Sequence, residues 1–205
     1  MNKPIKIIIH CTDVSRKVQT VQFFSVNRYH RDERKFPKSS LGYYGGYHIF
    51  IEPDGTELRY REDWEMGAHC NQVENGLSMN EQSLGICWAG DGDTEYPTSA
   101  QMVTIAARVK SWGAKFNIPV DMIGVKFHRD YAVQKTCPGK LLDDSYFLRY
   151  INSTYQKDPE AQKKAAKEKE ISSILDMIRE LLLKIKIQLD LQTRSKSAPF
   201  GGFKY

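Results

Sequence analysis

Apolar and polar positions alternate along this chain in several distinct rhythms. The run Lys6-Ile7-Ile8-Ile9-His10-Cys11 is apolar and β-branched at its centre, the pattern of a strand covered on both faces of a sheet. A polar residue at its end therefore projects from a rigid edge. Residues 20 to 34, carrying Phe23, Phe24 and Tyr29, read as a helix with Thr20 as N-cap. After a loop rich in Gly, Ser and Tyr, Gly46 to Ile51 reads as a second strand. Pro53-Asp54-Gly55-Thr56 then turns into a third strand at Glu57 to Arg61, completing a hairpin. Ser83 to Trp88 is a fourth strand. From Ser99 to Phe116 the apolar residues Met102, Ile105, Ala106, Val109 and Trp112 recur at helical spacing, with Thr98 or Ser99 as cap and Asn117-Ile118-Pro119 as stop. Ile123 to Phe127 is a fifth strand, followed by His128. This order predicts the α/β class, a single mixed central β-sheet flanked by helices, plus a C-terminal helical extension.

The rhythm changes after Tyr155. Residues 156 to 170 are dense in Lys, Glu and Ala and lack apolar anchors, which suits a solvated helix or linker. Ile171, Leu175, Ile178, Leu182, Ile185 and Leu189 then keep heptad spacing, a seam that could pair with a second copy. Strict alternation from Leu183 to Leu191 competes with that helix reading. The expected divisions are 1–155 as the catalytic domain, 156–192 as a helical extension or coiled coil, and 193–205, with Pro199 and Gly201-Gly202, as a disordered tail.

Composition narrows the function classes. Of 205 residues, 40% are hydrophobic and the formal net charge is +5. Residues 1 to 155 hold 19 basic against 18 acidic side chains, so the charge excess sits in the remainder, with 11 against 7. No concentrated basic face marks the body as a nucleic-acid binder. No apolar run reaches the roughly 20 residues of a membrane helix, and the segment before Ile5 is too short for a secretory core. The expectation is a chain made in the cytoplasm without a signal peptide and without an integral membrane span. Four cysteines in such a chain point to free thiols or metal ligands rather than a disulfide framework.

The informative chemistry lies in His128-Arg129-Asp130 through Thr136-Cys137-Pro138-Gly139, where a His and a Cys lie nine residues apart across a loop after a strand. His10 ends another strand. Two imidazoles and a thiolate suit zinc, and three protein ligands leave a fourth position for water. Spacing alone leaves open whether His10 and His128 converge.

These motifs resemble those of the zinc amidases that include phage lysozymes of amidase type and animal peptidoglycan-recognition proteins. The matching segments are His10-Cys11-Thr12, Gly46-Tyr47-His48, Pro53-Asp54-Gly55, Gly67-Ala68-His69, Asn80 with Ser83-Leu84-Gly85-Ile86, and His128-Arg129-Asp130 through Cys137-Pro138-Gly139. They keep the family's order across residues 5 to 142. The resemblance implies hydrolysis of the amide between the lactyl group of N-acetylmuramic acid and L-alanine in peptidoglycan. It implies Zn2+ held by His10, His128 and Cys137, with Tyr47 orienting water or passing its proton and Lys135 stabilising negative charge on the carbonyl oxygen. His69 and Asn80 match positions expected to contact substrate. Binding relatives that have lost catalysis typically lack the Cys ligand, so Cys137 with Tyr47 and Lys135 favours an enzyme.

Other residues carry blander expectations. His48 alternates with Tyr47 and should be buried. Cys11 and Cys87 should be small buried hydrophobes, and His30, on a charged helix end, should be solvated. Arg129 and Asp130 are candidates for orienting His128. Trp64 and Trp88 could line a glycan groove or lie buried. A phage endolysin acting on peptidoglycan is the leading expectation. The alternatives are a cytoplasmic amidase recycling muropeptides, and a non-catalytic module that binds peptidoglycan or regulates a phage RNA polymerase. Self-association through residues 171–191 is a further expectation. Stretches 39 to 45 and 73 to 79 have no clear counterpart in the resemblance.

Overall fold

The structure is a computed structural model, and it describes residues 2–157 together with Ile174, Ile178 and Leu181. The chain divides into two compact units, Met1–Asp158 and Pro159–Tyr205. In the second, Ile174, Ile178 and Leu181 are helical and exposed. The rest of the seam at residues 171–191, the competing strand and the tail at 193–205 lie outside the described residues.

The first unit is built on β1 (Lys6–Cys11), β2 (Ile49–Ile51), β3 (Glu57–Arg59), β6 (Ser83–Trp88) and β7 (Val125–Phe127). They form one sheet in the order β3-β2-β6-β1-β7. β1 runs parallel to both β6 and β7, β2 runs parallel to β6, and β3 returns antiparallel to β2. The sheet is therefore mixed, with the apolar run of β1 at an interior position and buried on both faces, as its sequence requires.

Strand alternation sorts the side chains onto the two faces. Ile7, Ile9 and Cys11 join Ile49, Ile51, Ile86 and Trp88 in the main core, under α3 (Ser99–Phe116) and α5 (Asp144–Lys157). Met102, Ile105, Val109 and Trp112 enter that core from α3, and Phe147 and Ile151 from α5. Each such side chain taken out of water contributes about 1.5–3 kcal/mol. The opposite face carries Phe50 and Cys87 against Tyr60 and Phe23 of α1 (Phe23–Asp32), with Ile8 packed on Cys70 and Met79.

α3 has the predicted limits. Thr98 and Gln101 form a reciprocal capping box, and Asn117 closes the helix in the left-handed region at φ 55°. α1 starts later than the sequence suggests, because its cap is tertiary. The Glu52 carboxylate accepts the backbone N–H groups of Gln22 and Phe23 at 2.8–3.1 Å, whereas the Thr20 hydroxyl turns back to the Arg16 carbonyl. The second, third and fifth strands are shorter than expected. Tyr47 and His48 precede β2, and only Val125–Phe127 pair in β7. Among the described residues four elements join the predicted set besides α5, one of them the single turn α4 (His128–Tyr131). β4 (Val73–Glu74) and β5 (Leu77–Ser78) form a small hairpin around Asn75-Gly76, followed by the single turn α2 (Met79–Gln82).

Candidate metal centre

Register brings the two histidines together. Ile9 of β1 pairs with Phe127 of β7, so His10 and His128, each one residue further on, lie side by side at the carboxyl edge of neighbouring parallel strands. This is the edge where open α/β sheets place their sites. His128 opens the one-turn helix α4 (His128–Tyr131). The Asp130 carboxylate fixes that turn by accepting the Phe127 N–H at 2.9 Å.

Cys137 arrives on the loop after α4. Its carbonyl accepts the Arg129 N–H at 2.8 Å, and its Sγ accepts the Cys11 N–H at 3.4 Å. The Arg129 guanidinium donates to the carbonyls of Gly139 and Leu142 at 2.8 Å each and pairs with Asp144. Arg129 thus ties down the loop of the thiol, while Asp130 sets the turn of the imidazole. Gly92 lets that loop pack closely, because a Cβ there would stand 2.0 Å from the Pro138 carbonyl oxygen.

The candidate ligand atoms of His10, His128 and Cys137 all lie within 4.8 Å of one another. Nδ1 of His10 is 3.8 Å from Cys137 Sγ. Two ligands of a tetrahedral zinc with ordinary Zn–N and Zn–S bonds would stand about 3.6 Å apart, so the donor set and its spacing fit that ion. A second group within the same span, Cys11, Asp13 and Cys137, shares the thiol but has its other two members occupied, since the Cys11 thiol donates to Asp13 at 2.8 Å.

Burial keeps the histidines neutral, the state in which imidazole ligates metal. The pKa of His10 is held well below the ordinary value, first by burial and then by His128 and His69. That of His128 falls to about 4, by burial and then by the positive charge of Lys135. Lys135 is itself exposed, so its ammonium acts on the pocket from the solvent side. Tyr47 leans over the pocket with its ring 5.0 Å from His10 and 5.4 Å from His30. Its hydroxyl is held well above the usual phenol range by burial and then by the Cys87 and Cys137 thiols, so it is a proton donor across the working range.

The remaining predicted residues take definite places. His48 is fully buried and satisfied, accepting the Gly85 N–H at Nδ1 and facing the Glu65 carbonyl with Nε2, both at 3.0 Å. Cys11 and Cys87 are buried, as is Cys70, which packs with Ile8 and Met79. Trp88 is buried and Trp64 exposed. The Asn80 side-chain oxygen accepts the N–H groups of both His69 and Cys70 at 2.8 Å. His69 is 8% exposed and faces His10. Asn80 thus holds the backbone of His69, whose ring lies 5.0 Å from that of His10.

His30 corrects the expectation of a solvated residue. It is buried, and its Nδ1 accepts the Gly46 N–H at 3.1 Å, steadying the segment that carries Tyr47. Its charged neighbours masked that contact, whose partner lies 16 residues away. A cavity of about 420 Å³ also opens between the start of α3 and the loop after Cys137, lined by Tyr96, Met102, Leu141 and Tyr146. It holds none of the ligand clusters found among the described residues, so the chemistry is assigned to the histidine–thiol edge.

A mixed sheet with two histidines and a cysteine converging at its carboxyl edge defines an amidase-type fold with a candidate metal centre. The family model of N-acetylmuramoyl-L-alanine amidase matches residues 1–140, and the chain belongs to that family. Among solved structures it is similar to the N-acetylmuramoyl-L-alanine amidase LysC from Clostridium intestinale URNW, at 26% identity and a TM-score of 0.56 over 74% of this chain and 87% of that one. The Ph2119 endolysin from Thermus scotoductus MAT2119 bacteriophage Ph2119 shares the fold at 18% identity and a TM-score of 0.53, covering 74% and 86%. Drosophila peptidoglycan recognition protein SD shares it at 18% and 0.54, covering 78% and 83%. A search of curated proteins found no match. No helix among the described residues is long and apolar enough to cross a membrane.

Proposed function

We propose that this chain is a zinc-dependent N-acetylmuramoyl-L-alanine amidase that hydrolyses the lactyl–L-alanine amide of peptidoglycan, acting as a phage endolysin. The observation that carries the reading is the meeting of His10, His128 and Cys137 within 4.8 Å in a chain of the amidase family. Endolysins among its structural neighbours support the biological role.

Zinc, when bound by His10, His128 and Cys137, supplies a Lewis acid that polarises the amide carbonyl and lowers the pKa of water. The other roles belong to the chain. Tyr47, kept protonated by burial, orients the attacking water and donates a hydrogen bond as charge moves. Lys135 brings positive charge to the carbonyl oxygen as it turns anionic. The thiols and aromatic rings around His10 keep bulk water away, which strengthens both interactions.

Lysis of peptidoglycan suspensions tests the reading. Clearing should stop with a chelator, return with zinc, and fall to background in Cys137→Ser at every zinc concentration. Clearing that persists in the chelator, or in Cys137→Ser, would contradict it.

A further inference from the structure

His69 is buried, and nothing in the reaction described above uses it. Its backbone N–H is pinned by the Asn80 side chain at 2.8 Å. Its ring occupies a slot floored by two glycines: a Cβ on Gly67 would stand 2.5 Å from the ring, and one on Gly85 would stand 2.8 Å from it. The ring fills this slot with Nδ1 3.1 Å from Nε2 of His10. His10 turns its other nitrogen, Nδ1, to Cys137 Sγ.

Hydrogen positions follow from the acceptors. Two facing imidazole nitrogens hold one proton between them. If His69 Nδ1 carried it, neutral His10 would place its own proton on Nδ1, the nitrogen that faces the thiol, and could not ligate there. If His10 Nε2 carries it, Nδ1 of His10 has a free lone pair toward Cys137 and His128. His69 then bears its proton on Nε2, a buried atom without a well-formed hydrogen bond.

We infer that His69 is a positioning residue that accepts the Nε2–H of His10, fixing the tautomer and ring plane in which His10 Nδ1 binds the metal. This deepens the zinc-amidase reading and rests on it. Outer partners of this kind set metal affinity because a ligand free to rotate or change tautomer must be reordered on binding.

The test is zinc affinity of the full chain, measured by competition with a chromogenic chelator. His69→Leu, which removes the acceptor, should weaken zinc about 10- to 100-fold. His69→Asn places an oxygen near the Nδ1 position and should recover most of that loss. A role confined to packing would lower the thermal midpoint of the zinc-free protein in both variants and leave the ranking of zinc affinities flat. His69→Leu binding zinc within about twofold of the parent, or His69→Asn doing no better than His69→Leu, overturns the assignment. Long-range 1H–15N spectra of the zinc-loaded parent give a reading free of variants: Nε2–H on both His69 and His10 is expected, and Nδ1–H on His69 overturns it. Failure of the parent reading looks different. A parent that binds zinc no more tightly than Cys137→Ser removes the zinc site itself, and the positioning role with it.

Discussion

Each side chain at the sheet edge is held by a partner that leaves it little freedom. His10 sits between Cys137 and His69, Cys137 is held by the Cys11 and Arg129 backbones, and Tyr47 rests against the rings of His10 and His30. Tyr47 is the residue through which catalysis and zinc binding separate most cleanly. In the proposed reaction its hydroxyl donates and is no ligand, so Tyr47→Phe should lower kcat about 10²- to 10⁴-fold. Zinc affinity should stay within about threefold by chelator competition, because the ring remains. A parallel loss of zinc affinity would assign Tyr47 to the metal pocket instead.

Elements deliver these residues through contacts of very different sequence range, and that range governs what the chain reveals in advance. β1, β6 and α3 were legible because their determinants are local: two short buried runs and a capping box spanning four residues. The convergence of His10, His128 and Cys137 was legible only through motif order, because the pairing that joins His10 to His128 spans more than 100 residues. The start of α1 was hidden for the same reason, its cap being Glu52 about 30 residues away. The hairpin at 73–78 was within reach, since Asn75-Gly76, both at positive φ, is the standard signature of a tight turn. Its flanking strands are only two residues each, too short to show alternation.

Glu52 also supports a prediction at this scale. It is buried and accepts two N–H groups at the positive end of α1, where an anion is favoured. Glu52→Gln keeps the shape and removes the charge. It should destabilise the fold by about 1–2 kcal/mol in urea unfolding. An unchanged midpoint would mean that the cap contributes nothing.

For the whole molecule, buried histidines tie stability to pH. Burial lowers His48 and His30 to about 4 each, against an ordinary value near 6.5. Below that ordinary value the unfolded chain binds protons that the folded chain refuses. Stability should therefore be flat above about pH 6.5 and fall steadily toward pH 4, by up to roughly 3 kcal/mol for each histidine. Asp63 adds a separate loss lower down. Burial opposes its charge, but Arg59 and Lys115 prevail and hold it at about 2, so its stabilising charge is lost as pH falls from about 4 to 2. Urea midpoints of the zinc-free protein at pH 8, 6.5, 5 and 4 check the upper window. Constant stability between pH 6.5 and 4 would contradict the burial of neutral His30 and His48.

The proposed activity cleaves one bond, and the fragments released from peptidoglycan report which bond that is. Purified protein with zinc should yield stem peptides with new L-alanine amino termini and glycan strands with intact muramic acid, identified by mass spectrometry. Cys137→Ser under the same conditions should yield neither. New reducing sugar ends, cleavage inside the stem peptide, or no release from walls of several chemotypes with zinc demonstrably bound would contradict the account.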